Sequence, residues 1–159
     1  MGNKLVILVI VAFFAVASMQ MSYAEEEYAA FVGTDSWDNE GIDDAASVES
    51  IINDAGDLVI SVFNGYPCYE AYVNFTVEHL GSEEAPLIYL TAITINNAYA
   101  GVEMNVVVTD LAGVPIPLYT TLLPGEQLEG LVTITMLPDA QEDSSYSFSV
   151  DFTFSDVPP

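Results

Sequence analysis

One cysteine, Cys68, and one histidine, His79, are the only side chains here that could serve as thiol nucleophile or imidazole base. A hydrolytic zinc site takes three protein ligands, so His79 would have to recruit carboxylates from elsewhere in the chain. No H-E-x-x-H pair is present, and Glu78 sits next to His79 in an alternating run, where neighbours project to opposite faces. There is no G-x-S-x-G elbow and no phosphate loop, and nothing marks Cys68 and His79 as a dyad. Acids are abundant, yet no pair is singled out for glycosidase work. The sequence therefore reads as non-enzymatic. His79 is expected to pack at a strand end. Cys68 cannot form an internal disulfide alone, and is expected to be buried as a small apolar residue.

The carboxylates are the remaining chemistry. The chain carries 24 Asp and Glu against one Lys or Arg, a net charge of −23. That one cation, Lys4, precedes every acidic residue. Phosphate contacts need Lys or Arg, so neither nucleic acid nor an anionic membrane is an expected partner. Repulsion must be relieved by salt, protons or divalent cations. The densest stretch, residues 35–44, offers Asp35, Asp38, Glu40 and Asp43 as oxygen ligands for calcium. It does not fit an EF-hand loop, because placing Gly41 at position 6 puts Ser36 and Ser47 where acidic ligands belong. A solubilising surface is the plainer reading of the same charge, and both stay open. Asn74-Phe75-Thr76 is the sole N-glycosylation sequon.

The elements that position these groups begin with an export signal. Lys4 precedes about 15 uncharged, mostly apolar residues, Leu5 to Met19, short of a spanning helix and suited to a signal h-region. Ser22-Tyr23-Ala24 supplies small residues for cleavage between Ala24 and Glu25. Residues 1–24 are thus a signal peptide, and a secreted, cell-surface location is expected. Removing 24 of 159 residues leaves 135, one domain.

Beyond the signal, alternation dominates. Ala71, Val73, Phe75, Val77 and His79 make one inward face, and Tyr146, Phe148, Val150, Phe152 and Phe154 another. Residues 57–64 and 127–137 read as two more strands. Residues 87–96 and 103–111 are apolar on both faces in places, as central strands are. Residues 115–122 read as a short edge strand limited by prolines. Asp43 to Asn53 is the one helical stretch. The expected fold is all-β, a two-sheet sandwich or jelly roll of seven to eight strands with one short helix. Residues 45–159 form the sandwich. Residues 25–44 comprise a short strand, with Tyr28, Ala29, Ala30, Phe31 and Val32 at its centre, followed by an acidic tether over 33–44. That strand can complete its own sheet or pair with the sheet edge of a neighbouring molecule.

The segment Asn64-Gly65-Tyr66-Pro67-Cys68-Tyr69, leading into the alternating run to Val77, resembles a pattern of TasA/camelysin-like exported proteins, archaeal members especially. The closing run Tyr146 to Phe154 is similar to that family's last strand. Cys68 stands where the family pattern has Gly, and Glu83-Glu84-Ala85-Pro86 replaces a shorter continuation. The resemblance implies a jelly-roll subunit of extracellular filaments, including biofilm matrix fibres and bundling pili. In these, the N-terminal strand of one subunit completes the sheet of the next, so the implied partners are copies of the same chain. The camelysin name also carries a metalloprotease association, the most remote reading. A monomeric acidic module holding calcium or a surface ligand is the alternative from another class. If Tyr28 to Val32 packs within its own monomer and covers a sheet edge, polymerisation by strand donation loses its means; if it hangs free beside an open apolar groove, the filament reading gains.

Overall fold

Period-two alternation builds nine strands among the described residues of the computed structural model, which are 28–39, 46–81 and 87–159. They are β1 Ala29–Asp38, β2 Ser47–Ile52, β3 Leu58–Gly65, β4 Glu70–His79, β5 Ile88–Asn96, β6 Met104–Asp110, β7 Thr121–Leu122, β8 Gln127–Met136 and β9 Ser144–Ser155. Two antiparallel sheets result, ordered β1-β4-β8-β6 and β2-β3-β9-β5-β7. The all-β sandwich expectation holds at this level, with nine strands in place of seven or eight and no helix among the described residues.

The core lies between the sheets and is assembled from the inward faces read above. Val73, Phe75 and Val77 of β4 meet Ile60, Val62, Phe148 and Val150 from the facing sheet, all nearly or wholly buried. Deep burial of side chains on both inner faces is the main stabilising term available, since cationic partners for the carboxylates are lacking. Gly130 on β8 sits directly opposite Phe75. A Cβ there would run into the Phe75 ring and the Thr109 carbonyl oxygen, so only glycine lets the aromatic lie flat on β8.

Several expectations are corrected. The helix over Asp43 to Asn53 is replaced from Ser47 onward by β2, paired in register with β3 from Ser47↔Phe63 to Ile52↔Leu58. Val48, Ile51 and Ile52 have helical spacing, but all three are β-branched on a segment that the β3 edge recruits, and tertiary pairing overrides local spacing. The tether assigned to 33–44 is strand as far as Asp38, because β1 continues beyond an irregularity between Phe31 and Gly33. Residues 115–122 contribute only the two-residue β7, the rest being an irregular segment that buries Ile116. Finally, β6 is an edge strand and not a central one.

Candidate functional site

The seat of β1 is where the sequence placed its functional segment, and it is built in two halves. Before the irregularity, Ala29 pairs with His79 and Phe31 with Val77. Phe31 turns inward and meets Phe75 edge-on at 5.9 Å and Phe152 edge-on at 5.6 Å. Phe75 and Phe152 are themselves 5.0 Å apart, so three rings close one aromatic cluster. Val32 is the extra residue; it is exposed, and pairing resumes at Gly33↔Thr76. That one-residue slip changes which side chains face the core.

After the slip the inward positions are polar. Thr34 Oγ1 lies 2.8 Å from Ser50 Oγ and 3.1 Å from the Asn74 carbonyl oxygen. The Ser36 hydroxyl donates to the Val48 carbonyl at 3.2 Å. The buried Tyr69 hydroxyl donates to Asp38 Oδ2 at 2.9 Å. These bonds tie the edge of one sheet to β2 and the β3–β4 turn, closing that flank of the sandwich. On the solvent side of β1, Trp37 stacks on its cross-strand partner Tyr72 at 5.7 Å. Tyr72 donates to Glu70 at 3.1 Å. That bond to a carboxylate, and secondarily burial, raises the Tyr72 hydroxyl above its ordinary pKa of 10.0.

Tyr28 to Val32 therefore packs within its own monomer and covers the β4 edge; the Tyr28 carbonyl accepts a further main-chain bond from the Leu80 amide. Among the described residues no free strand hangs beside an open groove, the outcome that counts against strand donation. The partners Thr34, Ser36, Ser50 and Tyr69 escaped sequence reading. Alternation carried through Gly33 with a one-residue shift would have found the first two, since both then fall on the inward face.

The other sequence-derived residues are dispersed. Asp35 and Asp38 lie three apart on an extended strand, Asp35 exposed and Asp38 turned toward Tyr69, so β1 points them to opposite faces. Glu40 and Asp43 lie outside the described residues, as do Ala24, Glu25 and the signal peptide. Among the described residues no three His, Cys, Asp or Glu side chains come together to hold a metal. His79 is wholly buried at the end of β4, and its Nδ1 accepts the Gly81 amide at 3.1 Å. Glu78, on the other face, accepts a bond from Gln127 at 2.7 Å. Asn74 lies within β4 between β1 and β8, not in a loop.

Cys68 is exposed, which corrects the expectation of burial. It occupies the tip of the turn between β3 and β4 with φ 71, a left-handed conformation that points its side chain outward. The glycine of the resembling pattern falls at this position, where it would be free of strain.

Among the described residues, the Asp151 carboxylate is perturbed. Asp151 on β9 accepts from Asn96 at 2.6 Å through Oδ2, while its Oδ1 is buried without a partner. Burial, then the neighbouring Asp57 carboxylate, raises its pKa above the ordinary 3.8.

Fold and site together define an acidic β-sandwich whose first described strand is an edge element of the four-stranded sheet. No family model matches the chain, and neither a curated protein nor a solved structure matches it significantly.

Proposed function

We propose that this chain is an exported, non-enzymatic structural subunit whose copies join into extracellular filaments or matrix by exchanging β1. The strand of one copy would complete the β4 edge of the next. A β1 seated in its own monomer counts against simple donation, so the reading rests on exchange of a sheet-edge strand that is held by main-chain bonds, the Phe31 anchor and the polar ties of Thr34, Ser36 and Asp38. Any copy's β1 satisfies that seat with the same chemistry. Strand insertion needs no cationic side chain, and a head-to-tail transfer that does not close produces a fibre. The resemblance to TasA/camelysin-like proteins points the same way. Cleavage after Ala24 would then free the strand as it completes export.

Because a single chain seats its own β1, polymerisation is an exchange in which one set of bonds is lost and an equal set regained. The net drive must come from contacts between copies, and lateral bundling of such acidic fibres needs divalent cations, low pH or high salt. The monomeric acidic module is the second reading, favoured by the Thr34–Ser50 and Ser36–Val48 ties within one chain. A camelysin-like protease ranks last, since His79 is buried and its Nδ1 already accepts a bond.

Negative-stain imaging of residues 25–159, with and without deletion of 25–34 and with and without calcium, tests the proposal. Fibres are expected from the intact mature chain and not from the deletion. A peptide spanning 25–38 should restore the thermal transition of the deleted chain without restoring fibres. Fibres that persist after the deletion overturn strand exchange, and an intact chain that stays monomeric throughout supports the second reading.

A further inference from the structure

The β3–β9 ladder runs out onto two acids. Leu58 pairs with Val150, and one step further the register sets Asp57 across from Asp151. Like charges directly opposite each other destabilise a sheet. The two carboxyls are close enough to share a hydrogen bond. Each already takes an amide donor: Asn53 Nδ2 donates to Asp57 Oδ2 at 3.0 Å, and Asn96 Nδ2 donates to Asp151 Oδ2 at 2.6 Å. Asp151 Oδ1 is left buried without a partner, which is costly for an acceptor. A proton on Oδ1 removes that cost, because it turns the orphan acceptor into a donor toward Asp57 and cancels one of two like charges. With N–H groups aimed at both carboxyls, the surroundings suit a hydrogen bond better than a cation.

The pair also lines a cavity of about 70 Å³, which has room for water. Ala29, Ala30 and Phe31 of β1 share that lining. The two halves of β1 are held differently. The second half is tied by side-chain bonds to β2 and Tyr69, whereas the first relies on main-chain pairing and the Phe31 ring. The more weakly tied half is the one that borders the acids.

We infer that Asp57 and Asp151 form a proton-operated latch on the first half of β1: a shared proton closes the pair in acid, and its loss toward neutral pH admits water to the cavity and loosens Ala29 to Phe31. Among the described residues no further charged group lines the cavity or faces the pair. β5 presents Thr94 and Asn96, β1 presents Ala29 to Phe31, and β4 presents Val77. Asp54, in the turn before Asp57, is exposed. Burial and Asp57 raise the Asp151 pKa, so folding favours the protonated form. The stabilisation is complete below the ordinary value and is lost as pH rises through the folded one. The latch does not rest on strand exchange and holds equally for a monomeric module. Where β1 is exchanged, a copy would release it more readily at neutral pH than in acid.

Amide hydrogen exchange of the mature chain, residues 25–159, tests the latch at concentrations where the chain is monomeric. Protection factors, corrected for intrinsic rates, are followed from about pH 7 to about pH 3.5, through the ordinary carboxylate range. On acidification, protection at Ala29 to Phe31 in the wild type should rise about threefold more than at Ser36 and Trp37 in the second half of β1. Asp151→Asn puts a permanent N–H donor where the shared proton sits, and Asp57→Asn does so from the other side. Each should give the first half, at neutral pH, the protection that the wild type reaches only in acid. Glu25, Glu26 and Glu27, which precede Tyr28, are present in all three chains, so any response of theirs survives both substitutions. A rise equal in both halves of β1, or one that persists in both variants, overturns the latch and leaves general carboxylate repulsion as the cause. Protection of the first half that calcium restores at neutral pH in the wild type, but not in Asp151→Asn, overturns the proton and assigns the pair to a cation.

Discussion

Along the flank where β1 and β2 meet, hydroxyls and a phenol bridge the two sheets, and an aromatic anchor sits at one end of the seam. The flank of β6 and β7 carries no comparable seam among the bonds described here. It presents a strand paired without register shift, whose one charge, Asp110, lies at its end, in a span with two carboxylates in 39 residues. The first flank ties its own strand to the facing sheet through side chains, while β6 closes its outer edge locally, Met104 bonding with Tyr99 and Gly101 and Asp110 with Val114 and Gly113. The contrast shows two ways an edge can be treated: sealed by side chains from the facing sheet, or capped at its ends by the strand's own flanking turns.

The largest expected break in that contrast is Phe31→Ala. Truncating a nearly buried ring that touches Phe75 and Phe152 should cost about 3 kcal/mol, whereas Val107→Ala on the β6 flank should stay within about 0.5 kcal/mol. Urea unfolding of the two variants measures both, and equal losses would erase the distinction between the flanks. Tyr69→Phe comes next. It removes the hydroxyl that donates to Asp38, and a hydrogen bond to a charged acceptor is worth about 1.5–3 kcal/mol. Thr34→Val should cost about 1 kcal/mol by the same measurement, since one hydroxyl serves both Ser50 and the Asn74 carbonyl. A neutral result there would mean that the seam is held by packing and main-chain bonds alone.

The smallest effect concerns pH. Asp151 has a folded pKa raised above its unfolded value, so its charged form burdens the folded state above the folded pKa. That burden is relieved as pH falls through the folded pKa toward the ordinary value, and is gone below it. Acidification across that window should therefore stabilise the wild-type chain more than Asp151→Asn. The difference should be under about 1 kcal/mol because the pair with Asp57 is partly solvated. Thermal midpoints recorded down the acid range for both chains measure it, and parallel curves would assign acid stabilisation to the general carboxylate repulsion instead.

How much of this could be read in the chain varies by element. The inward faces of β4 and β9 were legible residue by residue, because each is buried on one side only and alternation survives intact. β2 was not, because Val48, Ile51 and Ile52 satisfy a helical spacing that only the β3 edge overrules. β1 was legible to Val32 and lost thereafter, since a one-residue bulge inverts the alternation and turns Thr34 and Ser36 inward. β6 was read as central from its composition, and its position at an edge became visible only with the sheet order. Of the candidate site, Phe31 and its neighbours were named from sequence, while Ser50 and Tyr69 were not.

The sequence by itself determined the carboxylate excess and the absence of any Lys or Arg beyond Lys4, along with the period-two alternation that makes the domain all-β. These are local or additive properties, and they need no knowledge of which strands meet. Tertiary structure alone decided that β1 lies beside β4, that Cys68 points outward, and that β6 stands at an edge. Strand neighbours are chosen by contacts between residues distant in the chain, and several orders can bury the same alternating faces.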